Sequence, residues 1–196
     1  MKALLITAAV ALVAVAAAAP AQSPMASPAA SAPVSDAVRT IMQRFATNLQ
    51  AAADDMPVSK FSYRPTPAQL SFGGVIVHLA GGNEFLCSSV SGTKAPNEPG
   101  PTAADTSEAG WAGYAPKALA RLRRSWDYCK TALSKLDDVN LGDPVPWFGR
   151  PPNDKTSRAN ALIALPMDWE DHYSQMAIYL RINGILPPTA RPKPKM

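Results

Sequence analysis

Apolar side chains recur at helical spacing in two well-defined stretches of this chain. In the third of four helical stretches the spacing alternates between three and four residues, joining Leu119, Leu122, Trp126, Cys129, Leu133 and Leu136. A narrow seam of this kind is typical of a helix in an antiparallel bundle. In the first stretch one apolar face is formed by Val38, Ile41, Met42, Phe45 and Leu49. Either Ser35 or Asp36 can cap the start of that helix.

The second and fourth stretches are bounded by turn-forming residues. We expect the second helix to begin at Thr66-Pro67-Ala68-Gln69, which combines a capping Thr, Pro at the first helical position and Gln at the third. Residues 56–65, before it, are expected to form an extended connection. The fourth spans about residues 156–183, and Pro166 predicts a kink or break within it. Loops are expected over 92–112 and 142–154. No strand pattern competes, so the sequence predicts an all-α four-helix bundle.

The first residues have the pattern of an export signal. Lys2 precedes an uncharged stretch rich in Ala, Val and Leu, and Ala19-Pro20-Ala21 is a small-x-small site. We expect residues 1–21 to be a signal peptide and the mature protein to be periplasmic or secreted. A membrane anchor is the alternative, but the stretch is short and lacks a basic stop signal, so no stable anchor is expected after cleavage. Residues 22–34 are read as a flexible leader, 35–190 as the domain and 191–196 as a basic tail.

The charge of the chain gives little support to nucleic-acid binding. The formal net charge is +4, one unit of which belongs to Lys2. Arg121, Arg123 and Arg124 cluster, but Asp residues follow closely, so a solvated helix face explains them better than a binding surface. A nucleic-acid partner is therefore not expected.

The two histidines are the best candidates for chemistry. His172 follows Asp168 by four positions, which places both side chains on one helix face, about 5–6 Å apart at Cβ. His78 from a facing helix could complete a set of two imidazoles and one carboxylate, as in many catalytic transition-metal sites. Structural readings remain open: His78, flanked by Gly74, Gly81 and Gly82, could be a core histidine at a tight helix crossing. Asp168 and His172 could be a surface pair near a helix start.

Two segments resemble the DinB family. The final helix of that family follows roughly the pattern His-x-x-His-His-Arg-Gly-Gln, then Tyr-Leu-Arg, Gly and Pro-Pro, to which the segment from Asp168 to Pro188 is similar. The family's second helix carries a His followed by Leu-Ala, as in His78-Leu79-Ala80. The resemblance covers about residues 35–190. It implies a DinB-like four-helix bundle with a three-ligand site for a divalent metal.

Carried over by position, the implied metal ligands are His78, Asp168 and His172. Asp168 stands where the family usually has a histidine, Asp171 replaces a non-ligand His, and Tyr173-Ser174 replaces Arg-Gly. A carboxylate still binds metal and is a harder donor, so the candidate ions are zinc, nickel, iron and manganese.

The two cysteines are expected to pair with each other. Cys87 lies nine residues after His78, on the opposite side of the helix, and is therefore a poor ligand for the same ion. Cys129 belongs to the apolar seam of the third helix. In an oxidising compartment such thiols form a disulfide. A catalytic thiol is the alternative, and it would need an exposed cysteine with a lowered pKa.

Two functional classes follow from these features. The first is a metal-dependent enzyme, either a hydrolase or, as in some relatives of the DinB type, a thiol transferase, acting on a small molecule. The second is a non-catalytic binding or stress protein whose metal site is structural or lost. A homodimer is compatible with either class.

Overall fold

Four long helices form the body of the protein in the computed structural model, which describes residues 32–96, 98–149, 151 and 154–192. They are α1 (Pro33–Asp55), α2 (Phe72–Ser91), α3 (Trp111–Leu133) and α4 (Arg158–Ile182). Short 3-10 helices lie at Val58–Lys60 and Pro188–Ala190. The expected signal peptide lies outside the described residues, as do most of the expected leader and most of the basic tail. Helix α1 begins at Pro33, two residues before the predicted start of the domain.

The helices pack as a bundle around one apolar core, which confirms the predicted fold class. The most extensive contacts join α2 to α3, α1 to α4 and α2 to α4, whereas α1 and α3 touch sparingly. The predicted seam of α3 is buried at Leu122, Trp126, Cys129 and Leu133. In α1, Ile41 is an exception to the predicted face because it is exposed. Within the described residues, no helix is both long and apolar enough to cross a bilayer.

A small hairpin interrupts the all-helical pattern between α3 and α4. Strands β1 (Pro144–Pro146) and β2 (Lys155–Ser157) pair antiparallel, with Val145 opposite Thr156. Val145 is buried, whereas its neighbours on β1 are exposed. Each strand has only three residues, too few for the alternating pattern by which a strand is recognised in a sequence.

The helix starts differ from those predicted from the sequence. Several residues could cap each helix, and tertiary contacts determine which position is used. The α2 helix begins at Phe72, where the Ser71 hydroxyl accepts a hydrogen bond from the Gly74 N–H at 3.1 Å. The predicted start at Thr66-Pro67 is wrong, since that segment forms a separate turn closed by the Gln69 N–H and the Thr66 carbonyl.

The start of α1 is capped from a distance. The carboxylate of Asp138, in the loop after α3, accepts hydrogen bonds from the N–H groups of Val34 and Ser35, both at 2.9 Å. These bonds satisfy amides that have no partner within the helix. Ser35 and Asp36, the predicted caps, lie inside the first turn instead.

Pro166 does not break α4. The helix is continuous from Arg158 to Ile182. Leu165 and Trp169, on either side of the proline, are both buried in the core. Their packing holds the helix together where Pro removes a backbone hydrogen bond.

The two cysteines lie together between α2 and α3. Cys87 and Cys129 form a disulfide, with Cα atoms 5.3 Å apart. Both residues are buried, so neither provides the exposed thiol that a catalytic cysteine requires. The bond crosses the most extensive helix pair of the bundle.

We expect no free thiol when the denatured, unreduced protein is assayed for cysteines. Reduction should lower the free energy of unfolding by up to about 4 kcal/mol, because a loop of this length regains conformational freedom in the unfolded chain. Denaturant titrations with and without reductant measure this difference. Two free thiols in the unreduced protein would reject the bond.

The glycines of α2 give a matched pair of substitutions. A Cβ at Gly73 would lie 2.6 Å from the ring of buried Trp111, whereas a Cβ at Gly81 would meet nothing within 4 Å. Gly73→Ala should therefore lower the free energy of unfolding by about 1–3 kcal/mol through overpacking. Gly81→Ala should raise it by about 0.8–1 kcal/mol through helix propensity. Chemical denaturation tests both, and equal effects of the two changes would refute this account of the Trp111 contact.

Candidate metal centre

The structure brings together the three side chains that the sequence singled out. His78 projects from α2, and Asp168 and His172 project from one face of α4. Asp168 Oδ1 lies 3.4 Å from His172 Nε2 and 3.9 Å from His78 Nε2. One ligand atom from each residue lies within 4.8 Å of the others. Two imidazole nitrogens and a carboxylate oxygen therefore converge between the two helices.

The cluster is closed on one side and open on the other. The His172 side chain is 12% exposed and that of Asp168 is 25% exposed, whereas the His78 side chain is 51% exposed. His78 thus forms the solvent side of the cluster, and a molecule approaching from water meets it first.

Asp168 carries a polar atom that the described part of the chain leaves unsatisfied. Its Oδ2 is buried and has no hydrogen-bond partner there. A buried carboxylate oxygen without a partner is costly. A cation bound by this carboxylate would reduce the cost, because it would offset the negative charge that both oxygens share.

A glycine of α2 lies next to this carboxylate. A Cβ at Gly82 would lie 3.5 Å from Asp168 Oδ2. Gly74 and Gly81, the other glycines next to His78, do not line the cluster: a Cβ at Gly74 would lie 3.2 Å from Ser71 Oγ, and one at Gly81 would face open space. Of the three glycines beside His78, only Gly82 would bring a Cβ within 4 Å of a side chain of the cluster.

A chain of hydrogen bonds sets the orientation of the His172 ring. His172 Nδ1 lies 3.1 Å from Gln175 Oε1, the Gln175 amide donates to the Tyr179 hydroxyl at 3.1 Å, and that hydroxyl donates to the Leu70 carbonyl at 2.9 Å. Because Oε1 can only accept, the proton of neutral His172 lies on Nδ1. Its Nε2 lone pair then faces Asp168 and His78, as metal binding requires.

The electrostatics of His172 are dominated by two opposed effects. Burial disfavours the charged ring, but hydrogen bonding to Asp168 and the charge of that carboxylate outweigh it, so the pKa of His172 is raised above its ordinary value. The same negative charge attracts a metal cation.

Buried polar contacts beside the cluster hold the helices in register. The indole N–H of Trp169 donates to Asn83 Oδ1 at 2.6 Å, and the Asn83 amide donates to the Ser125 hydroxyl at 2.9 Å. Asn83 is fully buried. These contacts join α2, α3 and α4 directly beside Gly82 and Asp168.

Sequence reasoning did not select Gln175, Tyr179 or Asn83 as site residues. Gln175 and Tyr179 lie three and seven positions after His172, on the same helix face, and Gln175 occupies the last position of the recognised pattern. That spacing is a usable signal for residues that orient a ligand. No comparable signal marks Asn83, whose partners lie on other helices.

A helical bundle with a His-Asp-His cluster between its second and fourth helices defines a class of candidate metalloprotein. Residues 41–176 match the model of the DinB superfamily, and the chain belongs to that family. The fold is similar to the crystal structure of a conserved protein from Enterococcus faecalis, with a TM-score of 0.57 and 16% identity over 76% of this chain and 96% of that one. At this identity the likeness shows the fold alone. The search of curated proteins gives no match.

The role of Gln175 can be tested in the metal-free protein. At a pH where the ring is neutral, we expect the nitrogen chemical shifts of His172 to show a proton on Nδ1. Gln175→Leu removes the acceptor and should shift the proton toward Nε2. Gln175→Glu keeps an acceptor and is the matched control, expected to retain the parent pattern. An Nε2 proton in the parent protein would contradict the assignment.

Proposed function

We propose that this protein binds one divalent transition-metal ion through His78, Asp168 and His172, and that the bound ion carries its activity. The convergence of three suitable donors from two helices within 4.8 Å is the observation that carries this proposal. The buried, unpaired Oδ2 of Asp168 and the orientation of His172 through Gln175 both support it.

The donor set limits the identity of the ion. Two imidazoles and one carboxylate suit zinc, nickel, iron or manganese. Asp168, in place of the histidine usual in the family, adds a negative charge to the site. Zinc and nickel should both bind, and the availability of each metal in the compartment where the protein works decides which ion the protein carries.

We further propose that the protein is a metal-dependent hydrolase. Thiol transfer is the alternative reaction, in which the metal activates a thiol instead of water. A metal held by three protein donors keeps open positions, at which it lowers the pKa of water or of a thiol. The protein's own contribution is to hold His172 and Asp168 rigidly and to admit a small-molecule substrate past exposed His78.

The proposed location favours hydrolysis over thiol transfer. The alanine-rich start with its Ala19-Pro20-Ala21 site supports export to the periplasm or secretion, and the buried Cys87–Cys129 disulfide is compatible with an oxidising compartment. Low-molecular-weight thiol cofactors are cytosolic, so water is the more available nucleophile. We expect no nucleic-acid partner and no stable membrane anchor, and a homodimer is compatible with this activity.

One observation favours a second candidate, a non-catalytic binding or stress protein. Asp168 replaces a family histidine, and the His78 nitrogen lies farther from the carboxylate than that of His172. A site of this kind could hold a metal for structure alone, or have lost it.

We expect the purified mature protein to contain about one divalent ion per chain by elemental analysis. His78→Ala and His172→Ala should abolish binding, because three protein donors leave little redundancy. Asp168→Asn should weaken binding strongly, and Asp168→His should preserve or strengthen it. Asp171→Asn is the matched control, since Asp171 lies on the same turn of α4 outside the cluster.

The outcomes separate the two candidates. Uptake of an ion together with hydrolysis of small ester or amide substrates, both lost in His172→Ala, supports the enzyme. Uptake of an ion without any turnover supports the structural role. If zinc, nickel, iron and manganese all fail to bind the folded protein, both the metal site and the enzyme are rejected.

A further inference from the structure

A cleft of about 500 Å³ lies between α1 and α3, which touch sparingly. Its lining comes from α1, α3 and one residue of α4, Trp169. None of the three residues of the metal cluster belongs to it. A volume in this range is typical of sites for small organic molecules.

The floor of the cleft is apolar and largely aromatic. It is formed by the buried side chains of Met42, Trp126, Leu133 and Trp169. The two indoles meet edge to face, with ring centroids 6.4 Å apart and planes inclined at 74°. Flat aromatic walls of this kind favour a ligand that is itself flat and contains rings.

The rim of the cleft offers hydrogen-bonding groups. The side-chain amides of Gln43 and Gln50 lie there with the hydroxyl of Thr47. That hydroxyl donates to the Gln43 carbonyl at 3.0 Å, so toward a ligand its oxygen is an acceptor. In the described part of the chain the buried indole N–H of Trp126 has no hydrogen-bond acceptor.

The charges around the rim balance. Arg39 pairs with Asp36 and also donates to the carbonyls of Leu133, the last residue of α3, and of Leu136, in the loop that follows. Lys130 and Asp127 both line the cleft and lie three positions apart on α3, close enough to offset each other. No net charge is therefore left to select an ionic ligand.

We propose that the α1–α3 cleft is a binding site for an uncharged, ring-containing small molecule with hydrogen-bonding groups along one edge. The rings pack on Trp126 and Trp169, and the polar edge faces Gln43, Gln50 and Thr47. This site is separate from the metal centre, which lies where α4 meets α2.

The test uses two dyes that share one skeleton. N-phenylnaphthylamine is neutral, and anilinonaphthalene sulfonate carries a negative charge on the same ring system. We expect the neutral dye to bind the whole mature protein saturably, with one molecule per chain, and more tightly than the sulfonate. In a proton–nitrogen spectrum the indole signals of Trp126 and Trp169 should shift, whereas those of Trp111 and Trp147, which do not line the cleft, should not.

A matched pair of threonines locates the site. Thr47 lines the cleft and Thr40 does not, yet both are exposed residues of α1 whose hydroxyls donate to the carbonyl four residues earlier. Thr47→Phe fills the mouth and should weaken binding of the neutral dye roughly tenfold or more. Thr40→Phe should leave it unchanged. Equal binding by both variants, tighter binding of the sulfonate, or shifts confined to Trp111 and Trp147 would each overturn the proposal.

Discussion

The contact between α2 and α4 is the constraint on which the candidate metal centre depends. His78 comes from one helix and Asp168 and His172 from the other, so a shift of one turn would separate the donors. Burying the Asn83 amide without partners would cost about 1–3 kcal/mol. Its bonds to Trp169 and Ser125 avoid that cost only at the observed register. A buried polar contact therefore fixes the alignment that apolar packing alone would leave less specific.

The same pair of helices is tied again near the start of α2. Tyr179 donates to the Leu70 carbonyl, just before α2 begins, and accepts from Gln175, which in turn contacts His172. One hydrogen-bonded chain thus links the entry of α2 to the ring that faces the cluster. Since Asn83 lies on the other side of His78, the histidine is bracketed by fixed contacts in both directions along α2. Positional precision of this kind is what metal ligands require of their surroundings.

Local sequence patterns predicted the features that depend on residue spacing within one helix. They did not predict the helix starts, which depend on contacts with residues distant in the sequence. The pairing of Asp168 with His172 follows from their separation of four. Apolar periodicity likewise predicts the buried face of α3 from Leu122 to Leu133, although the predicted seam ran on to Leu136, beyond the end of the helix. The start of α2 does not follow, because Thr66-Pro67 and Ser71 are both acceptable caps, and the packing of Phe72 in the core selects the second. The cap of α1 was not predictable either, since Asp138 lies more than one hundred residues away.

Consecutive residues of α4 face two different environments. Asp168 points toward α2 and the candidate metal centre, whereas Trp169 lies about 100° further around the helix and forms part of the α1–α3 cleft. The Trp169 indole is also the group that holds Asn83, next to Gly82 and Asp168. Occupation of the cleft therefore bears on a side chain that fixes the α2–α4 register. Because both regions share this single turn of helix, a displacement of Trp169 would act directly beside Asp168, one of the candidate metal ligands.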